Sequence, residues 1–450
     1  MRGFFAGLVV LAACGPPTVR VAGVTLQLHT PADVDPLAGA DTLFVRVLDA
    51  DGNEVESASG APGGTVPLPP ITTFGEVEIE VTARANGEVL SAARSGPVRV
   101  DPRDELVVDV LFLPINQAVP LQWTPTAHRI GHTAVNLPDG RVLLMGGRTP
   151  SSATLRADSE LWSPATGFAG EGPVLPQGMR YARQATLPNG VTLVAGGEGA
   201  PQQVLAVEDA DDELSIRALT PLRSATTTPC IVTHPTLGGA VVLTGSTLEF
   251  YSAEGRVGSE DFAASDVEAC AGSQGYVVTA GGTEGWGIID LSTEEDWPFD
   301  LTAQTTWLPN LPALDGPQVV APDPDDDLVW VGGGYGFDAS VGTRLVDPSR
   351  REVDPAEDLT TGRTGAQAAP WRDGTVVLAG GWSDDVRSAP VRSVVIHDPA
   401  QGDLLDIQIP ATDPTLSVLA GGALLLTGGV DDAGEAAGAI GIVPWVEEQD

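Results

Sequence analysis

The sequence predicts an all-β protein in two parts: a small β-sandwich, followed by a closed ring of four-stranded antiparallel sheets. Short runs rich in valine, leucine and threonine alternate with turns, and glycine and proline are abundant, at 54 and 37 of 450 residues. Long stretches with helical periodicity are absent. From about residue 120 onward, a unit of two strands that ends in a glycine pair recurs along the chain.

The first 17 residues read as a targeting segment rather than as part of the folded protein. Arg2 supplies the positive start, and the apolar run that follows, residues 4–13, is too short to span a bilayer. Its end, Leu11-Ala12-Ala13-Cys14, resembles the lipobox of bacterial lipoproteins. That resemblance implies cleavage before Cys14 and attachment of a lipid to its sulfur; an ordinary secretory signal with an accidental cysteine is the alternative.

The lipobox resemblance also implies a location for the mature chain. We expect a protein of the cell envelope that is held at the membrane by the lipid on Cys14, facing the periplasm or the cell surface. Gly15, in the place where an aspartate would retain the protein at the inner membrane, points to the outer membrane.

Residues 18–115 predict the β-sandwich, of the immunoglobulin or fibronectin type. A strand, an Asp-Gly turn and a returning strand occupy residues 43–60, a second hairpin occupies 74–100, and a last strand covers 105–114. In the second hairpin apolar and polar residues alternate, which is typical of a half-buried strand. The expected buried face carries Val77, Ile79 and Val81, and the expected polar face carries Glu78, Glu80 and Thr82.

Residues 116–450 contain the repeat, whose period is about 48 residues with one shorter interval. Each unit reads as two strands, a glycine pair, a third strand, a turn that often contains proline, and a fourth strand. Gly245 alone marks a weaker copy. The pairs are Gly146-Gly147, Gly196-Gly197, Gly281-Gly282, Gly332-Gly333, Gly380-Gly381 and Gly428-Gly429.

These units resemble kelch repeats, through the opening Arg129-Ile130-Gly131-His132, the Asp-Gly hairpin and the glycine pair. The resemblance implies a β-propeller with one four-stranded sheet per blade. Seven blades are expected, or six if the region around Gly245 is an insertion. The last unit lacks one strand, so we expect the apolar segment 116–123 to supply it and close the ring.

Cys230 and Cys270 are the two cysteines left once Cys14 is set aside. Each precedes a glycine mark and so falls on an expected inner strand, in two adjacent blades. Inner strands converge at the propeller axis, and an oxidising compartment favours a disulfide. Two buried thiols are the alternative.

The charge balance argues against two classes of partner. Acidic residues outnumber basic ones by 61 to 23, for a formal net charge of −38, and no lysine occurs. Nucleic acid and anionic membrane surfaces would be repelled. Without lysine, Schiff-base chemistry is excluded.

No catalytic or metal-binding motif is present, so we expect neither cofactor nor metal. His132 is expected to form a structural hydrogen bond within its blade. Acidic clusters such as 208–213 and 323–327 read as solvated turns. Four arginines recur near the starts of units and either gather at one rim of the channel or bond within the blades: Arg129, Arg180, Arg223 and Arg363.

The function favoured by the sequence is therefore binding without catalysis. We expect a monomeric, lipid-anchored envelope protein whose propeller loops bind a protein or a glycan. The alternative is a carbohydrate-acting enzyme with a site in the channel. The sharpest version of it is a copper radical oxidase resembling galactose oxidase, but none of the four tyrosines lies in a matching motif.

Overall fold

The structure is a computed structural model that describes most of the chain. The described residues are 9–10, 18–21, 24–50, 52–62, 75–100, 106–121, 128–210, 213–234, 236–245, 247–262, 267–281, 286–292, 305–308, 314, 316–323, 328–334, 341–384, 388–431, 433–435 and 437–446. Throughout these residues the regular structure is β, as predicted. None of the described segments forms a helix long and apolar enough to cross a membrane.

Two sheets make up the N-terminal part. One has the strand order β1-β2-β3-β9, with β3 and β9 parallel, and the other has the order β10-β7-β6-β4-β5, with β8 also paired to β6. β1 falls within the predicted targeting segment, which in this structure pairs with β2. Their facing sides share a core that includes Leu26, Val45, Ile79 and Phe112. The strands are β1 Val9–Val10, β2 Thr18–Val21, β3 Val24–His29, β4 Thr42–Asp49, β5 Glu54–Gly60, β6 Gly75–Ala85, β7 Glu88–Arg94, β8 Val98–Val100, β9 Leu106–Leu111 and β10 Leu113–Pro114.

The other face of β6 differs from the prediction. Glu80 and Thr82, expected on a solvated face, are buried. This face lies toward the propeller, where Glu80 and Arg372 line the same crevice. Arg46 compensates the buried carboxylate, because its Nε and one terminal nitrogen donate to the two Glu80 oxygens at 2.8 and 3.2 Å. Period-two patterning identified the strand but not the partner that covers its polar face.

Seven four-stranded antiparallel sheets follow, which confirms the seven-bladed propeller. Each blade runs outward from an inner strand, and the inner strands of neighbouring blades contact one another around the axis. The strands are β11 Val119–Pro120, β12 Thr133–Asn136, β13 Val142–Met145, β14 Ser159–Ser163, β15 Gly167–Glu171, β16 Arg183–Thr186, β17 Thr192–Ala195, β18 Val204–Ala210, β19 Glu213–Ala218, β20 Cys230–His234, β21 Gly239–Thr244, β22 Thr247–Ser252, β23 Gly255–Asp261, β24 Ala269–Ser273, β25 Tyr276–Ala280, β26 Trp286–Asp290, β27 Thr305–Leu308, β28 Gln318–Val320, β29 Val329–Gly332, β30 Thr343–Asp347, β31 Glu352–Pro355, β32 Gln367–Pro370, β33 Val376–Ala379, β34 Ser393–Asp398, β35 Gly402–Gln408, β36 Thr415–Val418, β37 Leu424–Thr427 and β38 Ile440–Ile442.

Blades 1 to 6 take their strands consecutively, from β12–β15 to β32–β35, and blade 7 combines both ends of the repeat region. Its order is β36-β37-β38-β11, so Val119–Pro120, inside the segment 116–123, is its outer strand. Asn116 fastens this closure: its Nδ2 donates to the Trp445 carbonyl oxygen at 2.9 Å, and its Oδ1 accepts the Trp445 N–H at 2.7 Å. The ring therefore closes between residues more than 300 positions apart.

In blades 1, 2, 5, 6 and 7 a glycine pair ends the second strand in a left-handed turn that only glycine adopts readily. Gly146 and Gly147 have φ angles of 68° and 82°. A Cβ atom on Gly146 would lie 2.3 Å from the carbonyl oxygen of Met179 in the next blade, so the pair also permits blades to approach closely. In blade 5 the left-handed pair is Gly333-Gly334, while Gly332 is the last residue of β29.

The disulfide between Cys230 and Cys270 is present. It joins β20 to β24, the inner strands of blades 3 and 4, whose Cα atoms at the bridge are 5.6 Å apart. The bridge therefore lies at the channel wall.

Candidate functional site

The candidate site is the opening of the central channel at the end where the inner strands begin. The first residues of the seven inner strands surround the channel there, and we call them the channel ring. Together they line a cavity of about 620 Å³. A second cavity of about 500 Å³ lies at the opening, and both volumes suit small ligands, which occupy pockets of roughly 300 to 1,000 Å³. The channel ring consists of Thr133, Arg183, Cys230, Ala269, Gln318, Gln367 and Thr415.

Two residues before the channel ring, five blades have a backbone with positive φ. Glycine fills this position in three of them, as Gly131, Gly316 and Gly365. The other two carry Tyr181, with φ of 57°, and Asp413, with φ of 51°. A residue other than glycine in this conformation costs about 1 to 3 kcal/mol, and such residues concentrate at functional sites. The two strained residues therefore single out one side of the opening.

Tyr181 bridges three blades. Its N–H donates to the Gly131 carbonyl oxygen at 2.7 Å, and its ring lies so close over Gly131 that a Cβ there would be 2.8 Å from Tyr181 Cε1. The hydroxyl continues to blade 7, where it donates to Asp413 Oδ2 at 3.3 Å. Burial, together with the Asp413 carboxylate, raises the pKa of Tyr181. The phenol thus remains a neutral donor at neutral pH.

Arg183 is the single charged member of the channel ring. It borders both cavities, and its guanidinium forms no hydrogen bond or ion pair with any described residue. Burial lowers its pKa because the charged form has lost part of its hydration. Arginine nonetheless stays protonated in proteins. The channel wall therefore presents an unbalanced positive charge.

Aromatic and carboxylate groups surround the opening beyond the channel ring. Trp382, half-buried, borders the outer cavity together with Tyr181. Glu198 is ion-paired with Arg180, and Glu268 accepts a hydrogen bond from the Gly316 N–H at 2.6 Å. The opening thus combines two aromatic rings with donors and acceptors of hydrogen bonds.

The four arginines predicted near the starts of units do not form a cluster at the rim. Buried Arg129 donates to the Gly146 carbonyl oxygen at 2.8 Å and to Asp158 Oδ2 at 2.7 Å. Arg363, also buried, donates to the carbonyl oxygens of Gly380 and Ser393 at 3.0 and 2.9 Å. Arg129 in blade 1 and Arg363 in blade 6 thus each connect the second and third strands of their own blade.

The other two predicted arginines form pairs near the surface. Arg180 pairs with Glu198 at the opening, and Arg223 pairs with Asp261 at 3.1 Å. Of the four, only Arg180 lies next to the candidate site, and its charge is already compensated there.

His132 forms its hydrogen bond to a different blade from the one predicted. Its Nε2 is 2.8 Å from Thr427 Oγ1, in β37 of blade 7, whereas His132 itself precedes β12 of blade 1. The ring is buried, and burial together with the charge of Arg129 lowers its pKa to about 3. His132 is therefore neutral at physiological pH and connects the two blades where the propeller closes.

Where the structure describes the remaining predicted sites, they do not border the outer cavity. Cys14 and Gly282 lie outside the described residues. In the acidic segment 208–213, Glu208 is bonded to Arg217 at 2.7 Å. In the segment 323–327 only Asp323 is described.

The donors that a copper radical site requires are not assembled among the described residues. Of the three tyrosines that the structure describes, Tyr181 alone borders the channel opening. Tyr251 and Tyr276 lie in cores between blades. Cys230 and Cys270 are joined in the disulfide, so neither thiol is available to form a link to a tyrosine. Across the described part of the chain, no three His, Cys, Asp or Glu side chains are placed to hold a metal. The described residues therefore do not fit a copper radical site.

Sequence reasoning missed Tyr181, Arg183 and Asp413. A signal was available, because alignment of the units on their glycine pairs places Arg183 with Thr133 and places Tyr181 and Asp413 with Gly131. At each of these positions the residue differs from the one in the first repeat unit. Because the fold does not need these different residues, they are candidates for a functional role.

No protein-family model and no curated protein matches this chain. Among solved structures, it is similar to a fungal alcohol oxidase of the AA5 family, in complex with copper. The TM-score is 0.53 at 15% sequence identity, over 72% of this chain and 76% of that chain. At this identity the similarity establishes the fold alone: the chain is an all-β protein with a kelch-like β-propeller.

Proposed function

We propose that this protein is a non-enzymatic binding protein of the cell envelope and that it holds a glycan at the channel opening. The observation that carries the proposal is the pair Tyr181 and Asp413. Both keep a strained backbone where three other blades have glycine, and they bond to each other beside a cavity of about 500 Å³. Strain that the fold does not need is retained where it serves a site.

The chemistry of the opening favours a sugar. Tyr181 and Trp382 both border the outer cavity, where an aromatic side chain can contact the apolar side of a pyranose. The side-chain amide of Gln367, which forms no hydrogen bond with a described residue, and the Arg183 guanidinium provide donors for hydroxyl or acid oxygens. Few, well-placed polar groups among apolar ones are the usual composition of a small-ligand pocket.

The arrangement of charged groups supports binding rather than turnover. A hydrolase needs two carboxyl groups facing one bond, or an equivalent acid and base. At this opening Glu198, Glu268 and Asp413 each already accept a hydrogen bond or an ion pair from a neighbouring blade or loop. They are thereby held as structural acceptors.

The test is a glycan-array screen of the protein without residues 1–17, followed by calorimetry on the sugars that bind. Tyr181→Gly restores the residue that three other blades carry at this position, so the variant folds without strain and lacks only the ring and hydroxyl. We expect it and Trp382→Ala to lose binding at least tenfold. Arg350→Gln, in an exposed turn, should bind normally. Hydrolysis or oxidation of a bound sugar would refute the non-enzymatic assignment.

For the envelope location we propose lipid attachment at Cys14, with the propeller held off the membrane by the sandwich. The supporting observation is the sequence Leu11-Ala12-Ala13-Cys14 after an apolar run. Cys14→Ser should abolish incorporation of labelled palmitate and release the protein into the soluble fraction. Unchanged labelling in that variant would refute this proposal without touching the glycan site.

A further inference from the structure

Arg183 points to the chemical class of the ligand. It is the one cation in the channel ring, and the other six members are neutral: two threonines, two glutamines, an alanine and a cysteine of the disulfide. In a protein with a net charge of −38, a positive charge on the channel wall is a local exception. No described residue forms a hydrogen bond or an ion pair with the guanidinium, although the Glu268 carboxylate lines the same cavity.

Two buried arginines, Arg129 and Arg363, and the half-buried Arg46 show how the fold treats a guanidinium that serves structure. Arg129 and Arg363 each donate at least three hydrogen bonds to the strands around them. Arg46 is paired with Glu80 through two bonds. Leaving such a group without partners in a partly dehydrated site costs free energy. Arg183 is therefore an open donor, and an anion that enters the channel would supply the missing acceptor.

The carboxylates at the opening limit how much negative charge a ligand can carry. Glu198 and Asp413 border the outer cavity, and Glu268 borders both the outer cavity and the channel-ring cavity. A polyanion would have to bring many charges past them and against the net charge of the protein, which is unfavourable. A ligand with one negative charge at the end that enters the channel avoids this repulsion.

We propose that the glycan bound at the opening carries a single sugar carboxylate, as in a terminal uronic acid, and that Arg183 binds it. This inference rests on the proposed function. The uronate enters first, and the guanidinium donates charge-assisted hydrogen bonds to its carboxylate, helped by the free amide of Gln367. Such bonds are stronger than neutral ones and are well matched to a planar carboxylate. The following sugar rings lie between Tyr181 and Trp382.

The experiment compares three trisaccharides by calorimetry: one that ends in glucuronic acid, its methyl ester, and the same trisaccharide ending in glucose. We expect the acid to bind at least tenfold more tightly than either neutral form. Raising the salt concentration should shrink that advantage. Arg183→Gln should remove the advantage while the neutral sugars still bind, and this retained binding shows that the variant is folded. Arg350→Gln makes the same change in charge at an exposed position and should leave all three affinities unchanged.

The outcomes separate the two proposals. If all three sugars bind equally, or if Arg183→Gln weakens all three to the same extent, the uronate inference is wrong while glycan binding stands. If none binds, or if binding is insensitive to Trp382→Ala, the proposed function fails and takes the inference with it.

Discussion

His132 makes the stability of the propeller depend on pH in a way that one substitution can isolate. Its pKa is about 3 in the folded protein and 6.5 in an ordinary histidine. A lowered pKa means that the unfolded chain binds the proton more tightly. The stabilisation is therefore complete above pH 6.5 and is lost as the pH falls toward 3.

The expected magnitude follows from the same two values. At pH 5 the unfolded histidine is almost fully protonated and the folded one is not. The free energy of unfolding should therefore fall by about 2 kcal/mol between pH 7 and pH 5 through this residue alone. The destabilisation arises at the junction of blades 1 and 7, where His132 forms a hydrogen bond with Thr427.

The assay is urea unfolding at pH 7, 6 and 5 for the wild type, His132→Gln and His128→Gln. His132→Gln should be less stable at pH 7 because it disturbs a buried site, but its stability should change less between pH 7 and 5, by about 2 kcal/mol. His128 is exposed, and its substitution should leave the wild-type pH dependence intact. An identical pH dependence in the wild type and His132→Gln would refute the reasoning.

Three further predictions concern the scaffold. Replacing both Cys230 and Cys270 by alanine opens a loop of 40 residues and should lower the free energy of unfolding by about 4 kcal/mol, measured by denaturant unfolding against the oxidised wild type; no loss would mean that the bridge contributes nothing to the stability of blades 3 and 4. Gly146→Ala should cost far more than Gly140→Ala, since both have positive φ but only the first meets a backbone atom, and equal shifts in Tm would contradict the close approach between blades. Asn116→Ala should cost about 1 to 3 kcal/mol and speed proteolysis of the C-terminal strand, because both hydrogen bonds between the Asn116 side chain and Trp445 are lost.

The sequence by itself determined the parts of the structure that depend on neighbouring residues. Strand, turn and glycine pair recur with a fixed spacing, and a blade with two apolar faces must stack on others until a ring closes. That spacing favoured seven blades over six and a Cys230–Cys270 disulfide over two buried thiols, and the structure has the favoured arrangement in both cases. The glycine pairs also predicted where the left-handed turns lie. Blade 5 is the exception, because it has three successive glycines: Gly332 is the last residue of β29, and the left-handed pair is Gly333-Gly334.

Only the tertiary structure decided what meets at the axis and between the two parts of the molecule. Closure brings Tyr181 and Asp413 within hydrogen-bond distance although 232 positions separate them, and it directs His132 to blade 7 rather than into its own blade. Docking of the sandwich buries Glu80, which its alternating strand had marked as solvated. The physical reason is the same in each case: periodicity fixes which way a side chain points from its own strand, but the partner on that side is set by how distant segments close around it.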